Sequence, residues 1–82
     1  MYLQCGYNGV PAPVVQWFHN NILLMDGVSG ITINTNHNTT SILKDEVERM
    51  SGGTYTCRAS NSVGADQKSY SIILVSILSK LE

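Results

Sequence analysis

Two cysteines set the strongest constraint on this 82-residue chain. Cys5 and Cys57 lie 52 positions apart. Each sits in a stretch whose side chains alternate between two faces. Leu3, Cys5 and Tyr7 share one face of the first stretch, and Tyr55, Cys57 and Ala59 share one face of the other. Successive strand residues point to opposite faces, so this period of two is the mark of a half-buried strand. Between them, Val15 and Trp17 lie inward on a third alternating stretch, Val14–His19.

Turn residues punctuate the chain at short intervals. Asn8-Gly9-Val10-Pro11-Ala12-Pro13 is excluded from helix and central strand, because two prolines remove donors and fix φ. Asn20-Asn21, Asp26-Gly27 and Asn61-Ser62-Val63-Gly64 read as turns. Asn34–Thr40 is polar and reads as a hairpin tip between strands near Ile31–Ile33 and Ser41–Lys44. Asp45–Ser51 breaks the alternation and suits a single helical turn or a surface corner. Ala65–Leu78 reads as a long last strand. Short strands with frequent turns and no helical period predict an all-β sandwich or barrel.

The length allows one domain, expected over residues 1–78, with 79–82 a tail or cloning remnant. A hydrophobic fraction of 43% argues against disorder. Domains near this size bury only about 60% of their unfolded surface, so a covalent staple is useful. The net charge is −1, and Lys44, Arg49, Arg58, Lys68 and Lys80 are scattered. Nucleic-acid binding calls for a basic stripe or cluster, and an anionic membrane surface calls for much the same. Neither partner is expected. Ile72–Leu78 is apolar but far shorter than the roughly 20 residues that span a bilayer, so no membrane insertion is expected.

The combination narrows the family. Gly9-x-Pro11-x-Pro13-x-Val15-x-Trp17, then Gly53-x-Tyr55-x-Cys57-x-Ala59-x-Asn61-x-x-Gly64, resembles the I-set of immunoglobulin-like domains. The resemblance runs from Leu3 to about Leu74. It implies an immunoglobulin-like β-sandwich of two antiparallel sheets. It also implies a Cys5–Cys57 disulfide between the sheets, with Trp17 packed beside the sulfurs. Tyr55, two residues before the second cysteine, is then the corner tyrosine. Trp17, Tyr55, Leu3 and Val15 are the expected core. A disulfide closing a loop of this length contributes about 2–5 kcal/mol.

Three departures from the family pattern stand out. The strand that normally precedes Leu3 is expected to be lacking, which would leave one edge of the last strand open. The corner aspartate is replaced by Ser51, and no Lys or Arg lies between Trp17 and Lys44, so both halves of the usual ion pair are gone together. Lys44 stands where an apolar residue is usual, which predicts a bulge or a side chain reaching outward.

Function follows the family rather than any reactive constellation. A metal or redox role for Cys5 and Cys57 would need clustered ligands that the sequence does not supply. His19 and His37 lack a partner at catalytic spacing. Asp45, Glu46 and Glu48 lack the ligand density of a calcium loop and read as a solvated face. No enzyme, cofactor or metal is expected. The expectation is a protein-binding or spacer module of a multidomain adhesion or receptor protein, extracellular or at the cell surface. Its partners would be proteins, including neighbouring immunoglobulin domains. The alternative is a cytoplasmic structural module of a sarcomeric or cytoskeletal giant, in which both cysteines stay reduced. Asn38-Thr39-Thr40 is an N-glycosylation acceptor at Asn38. Ile72, Leu74 and Val75 form an expected association edge for a homodimer through the last strand.

Overall fold

The computed structural model describes residues 1–45 and 52–73. Its regular structure there is entirely strand: β1 (Tyr2–Gly6), β2 (Val14–His19), β3 (Ile22–Leu23), β4 (Ile31–Thr35), β5 (Thr39–Lys44), β6 (Gly53–Ser60) and β7 (Ala65–Ile72). They form two antiparallel sheets. One has the order β1-β5-β4 and the other β3-β2-β6-β7. The expected all-β sandwich of two antiparallel sheets is the observed fold, with β1 and β7 as edge strands of their respective sheets.

The turns follow from side-chain chemistry. Asn20 and Asn21 take φ of 50° and 67°, and His19 pairs with Ile22. Two consecutive left-handed residues make the hairpin turn whose twist matches the flanking strands, and asparagine tolerates that conformation. The Asn20 side chain also accepts a hydrogen bond from the Thr54 backbone N–H at 3.0 Å, tying this turn to the start of β6.

Asn36 builds the β4–β5 turn. Its Oδ1 accepts from the Asn38 and Thr39 backbone N–H groups and from Thr39 Oγ1, at 3.0, 2.8 and 2.9 Å. One side chain thus satisfies three donors. The hairpin tip is consequently tighter than the polar stretch Asn34–Thr40 suggests: strand pairing continues to Thr35↔Thr40. Asn61 does the same between β6 and β7. Its Oδ1 accepts from Val63 and Gly64 N–H, while its Nδ2 donates to the Pro11 carbonyl at 2.9 Å and fastens the β1–β2 loop.

The register settles Lys44. Pairing runs unbroken from Ile31↔Lys44 to Thr35↔Thr40, so β5 carries no bulge. The Lys44 ammonium instead reaches an exposed position and donates to the Ser29 carbonyl at 3.0 Å. The apolar run Ile22–Met25 yields a strand of only two residues, both exposed, and Leu24 alone of the four packs against the core.

That core is Cys5, Trp17, Ile42, Tyr55 and Cys57, flanked by half-buried Leu3, Leu24, Ile33, Tyr70 and Ile72. Cys5 and Cys57 are bonded, with 6.6 Å between their Cα atoms, and join β1 of one sheet to β6 of the other. Ile42 and Trp17 fill the layer between.

Candidate functional site: the β1–β7 groove

Alternation on β7 brings Asp66, Lys68, Tyr70 and Ile72 to the face that looks toward the other sheet. Tyr70 shows this directly. Its ring stacks on Trp17 with centroids 6.4 Å apart, and its hydroxyl crosses the gap to donate to the Gln4 carbonyl of β1 at 2.7 Å. Lys68 Nζ lies 5.4 Å from the Tyr70 ring centroid. Toward the β6–β7 turn a groove of about 950 Å³ is lined by Cys5, Val15, Cys57, Ala59, Asp66 and Lys68 among others.

The structure distributes the sequence-derived residues unevenly. Trp17 and Tyr55 are each 1% exposed and sit with the disulfide at the centre. Leu3 is half-buried against that cluster. Val15 is also half-buried, but it lines the groove. Ile72 turns its side chain inward against the core, and no strand among the described residues pairs with the outer side of β7. Leu74 and Val75, the other two residues of the expected association edge, lie outside the described residues, as do Glu46, Glu48 and Ser51. Asn38 is exposed at the β4–β5 tip, and its backbone carbonyl accepts from Tyr7 N–H at 2.9 Å. Tyr7 hydroxyl donates to the Asn36 carbonyl beside it.

One residue escaped the sequence reading. Thr40 is 1% exposed, and its hydroxyl accepts a 2.9 Å hydrogen bond from Trp17 Nε1 while also bonding Thr35 Oγ1. The signal was present: Thr40 precedes Ile42 by two, on the same inward face of β5. A polar residue at a hairpin tip is usually read as solvated, and that expectation hid it.

The histidines have structural surroundings. His19 stacks face to face on Tyr55, with centroids 4.3 Å apart and planes 4° from parallel. Its Nε2 donates to the Gly52 carbonyl at 2.7 Å. His37 is exposed at the β4–β5 tip. Burial of Tyr55 pushes its phenol above the ordinary value of 10.0. Among the described residues, no three His, Cys, Asp or Glu side chains cluster to hold a metal ion. The arrangement is suited to contact along strand edges and loops.

The family comparison agrees with this architecture. The immunoglobulin I-set domain matches residues 1–74, and the chain belongs to that family. It is 34% identical over 77 residues to the titin homolog of Caenorhabditis elegans, covering 94% of this chain and a share of that giant that rounds to 0%. It is 41% identical over 63 residues to neuronal growth regulator 1 of Gallus gallus, covering 76% of this chain and 18% of that protein. The titin immunoglobulin tandem superposes with a TM-score of 0.79 at 29% identity, over 87% of this chain and 36% of the other. The chain thus spans under a fifth of both curated relatives. Immunoglobulin domains of this kind occur both in titin-like proteins and in adhesion or receptor proteins, as non-catalytic modules.

Proposed function

We propose that this domain is a protein-binding and spacer module of a multidomain adhesion or receptor protein, with its disulfide formed in an oxidising compartment. The observation that carries the reading is the Cys5–Cys57 bond across the two sheets. Disulfides persist outside the cell and are rare in the cytosol. The exposed acceptor at Asn38 supports it, because a glycan there would stand in solvent at the hairpin tip. The likeness to neuronal growth regulator 1 points the same way. Binding specificity would come from strand edges and loops presented by a rigid sandwich.

The test is thiol labelling of the parent protein, alkylated from its native source under denaturing conditions without reduction. Neither cysteine should react. Labelling of both Cys5 and Cys57 would instead favour the intracellular reading, in which the domain is a structural module of a titin-like giant. The likeness to the titin homolog supports that second reading.

Self-association through β7 belongs to the same proposal. Among the described residues β7 is the outer strand of its sheet, and an outer strand can pair through its backbone with another chain. The sequence that follows, from Ile72 through Leu74 and Val75 to Leu78, is apolar. Light scattering across concentration should reveal a dimer. A monomer at every concentration rules this association out.

A further inference from the structure

We propose that Asn38 accepts a glycan only from the unfolded chain, because folding withdraws the Thr40 hydroxyl that the transferring enzyme must engage. This rests on the reading of Asn38 as a glycosylation acceptor and adds a folding control to it. The tripeptide Asn38-Thr39-Thr40 carries two signals: the amide that receives the sugar, and a hydroxyl two residues on. Folding parts the two. Asn38 is exposed at the β4–β5 tip, while Thr40 is buried. The Thr40 hydroxyl accepts from Trp17 Nε1 at 2.9 Å and bonds Thr35 Oγ1 at 2.9 Å. The folded surface therefore presents the acceptor amide without the hydroxyl that marks it.

No small local motion frees Thr40. It lies on β5, the middle strand of its sheet, paired with Cys5 of β1 on one side and Thr35 of β4 on the other. Cys5 is in turn bonded to Cys57 across the sandwich. The rest of the tripeptide is held as well. The Asn38 and Thr39 N–H groups donate to Asn36 Oδ1, and the Asn38 carbonyl accepts from Tyr7 N–H. Bringing the Thr40 hydroxyl to an enzyme breaks strand pairing on both sides and strands the buried Trp17 donor. The transfer itself needs only an extended chain. Asn38 Nδ2 bonds to the anomeric carbon of an oligosaccharide carried on a lipid diphosphate. The carbon–oxygen bond to the diphosphate breaks, its electron pair leaves with the diphosphate, and the amide nitrogen gives a proton to a base of the enzyme. One hydroxyl thus serves two competitors, the enzyme before folding and Trp17 after it.

The experiment offers two forms of the full chain to a purified oligosaccharyltransferase with a lipid-diphosphate oligosaccharide donor. One is the oxidised folded chain. The other is reduced and carboxymethylated at both cysteines, which places charges that the core cannot enclose. Mass spectrometry follows the glycan on Asn38. The unfolded form should be modified, and the folded form at least about tenfold more slowly, since only its small open fraction can react. The oxidised Trp17→Ala chain, which loses the partner that holds Thr40, should react faster than the oxidised parent. In the unfolded form, Thr40→Ser should remain an acceptor and Thr40→Val should not. Equal rates for the folded and unfolded parent overturn the proposal. So does a glycan on unfolded Thr40→Val, or an oxidised Trp17→Ala chain no faster than the parent. A parent modified in neither form removes Asn38 as an acceptor and this proposal with it, while the compartment is still decided by thiol labelling.

Discussion

Trp17 and Thr40 meet across the sandwich: the indole N–H of β2 donates to the Thr40 hydroxyl of β5 at 2.9 Å, with both residues 1% exposed. A buried indole needs a partner for its one donor, and the Thr40 hydroxyl is that partner. Thr40→Val keeps the shape and removes the acceptor. It should cost about 1–3 kcal/mol in chemical denaturation, the penalty for stranding a buried donor. Thr40→Ser keeps the hydroxyl and should cost less than about 1.5 kcal/mol. Equal losses in the two variants would show that the hydroxyl is not what matters.

Trp17 itself fills the space beside the disulfide. Trp17→Ala should cost about 3–5 kcal/mol, the range for emptying an aromatic core site. Urea unfolding of the oxidised chain is the measurement. A loss below about 1 kcal/mol would mean that the indole is not central to the core.

How far the sequence reveals the fold is visible in these residues. The strands, the two sheets and the inward positions of Cys5, Trp17, Tyr55 and Cys57 follow from a period of two, because alternation and burial are the same geometric fact. Thr40 was hidden because hydroxyls are ambiguous: they suit water or a buried donor equally, and only the cross-sheet position of Trp17 decides between them. The groove was hidden for another reason. Asp66 and Lys68 alternate with Gln67 and Ser69, so β7 is polar on both faces at this end and its inward side cannot be read from pattern. The register partners Cys57↔Lys68 resolve it. The apolar run Ile22–Met25 contains only the two-residue β3, both of whose residues are exposed.

Gly53 opens β6 with φ of 117°, a conformation that side chains rarely adopt. A Cβ there would lie 2.5 Å from Asn20 Oδ1. That oxygen is not free to swing aside without releasing the Thr54 N–H it holds. Gly53→Ala should therefore destabilise the domain by about 1–3 kcal/mol through combined backbone strain and a lost turn contact. Asn20 itself has φ of 50°, which glycine accepts readily. Adding Asn20→Gly should relieve the clash and leave the strain, so the double variant should lose less than the sum of the two single losses. Strict additivity in denaturant unfolding would show that the two positions do not couple.

Tyr55 makes stability depend on alkaline pH. Burial holds its phenol above the ordinary 10.0 in the folded state, because desolvation penalises the phenolate. A raised folded value means that the unfolded chain releases this proton first. The stabilisation is fully present below about pH 10 and is lost as pH rises from there through the folded-state value. Stability should thus fall along an alkaline limb. Tyr55→Phe removes this proton from the balance, whatever the variant costs at neutral pH. Its stability, measured by denaturant unfolding from pH 8 to 11, should decline less steeply than that of the parent. Parallel curves over that range would show that Tyr55 ionises equally in the folded and unfolded states, and that its burial against His19 carries no protonic linkage.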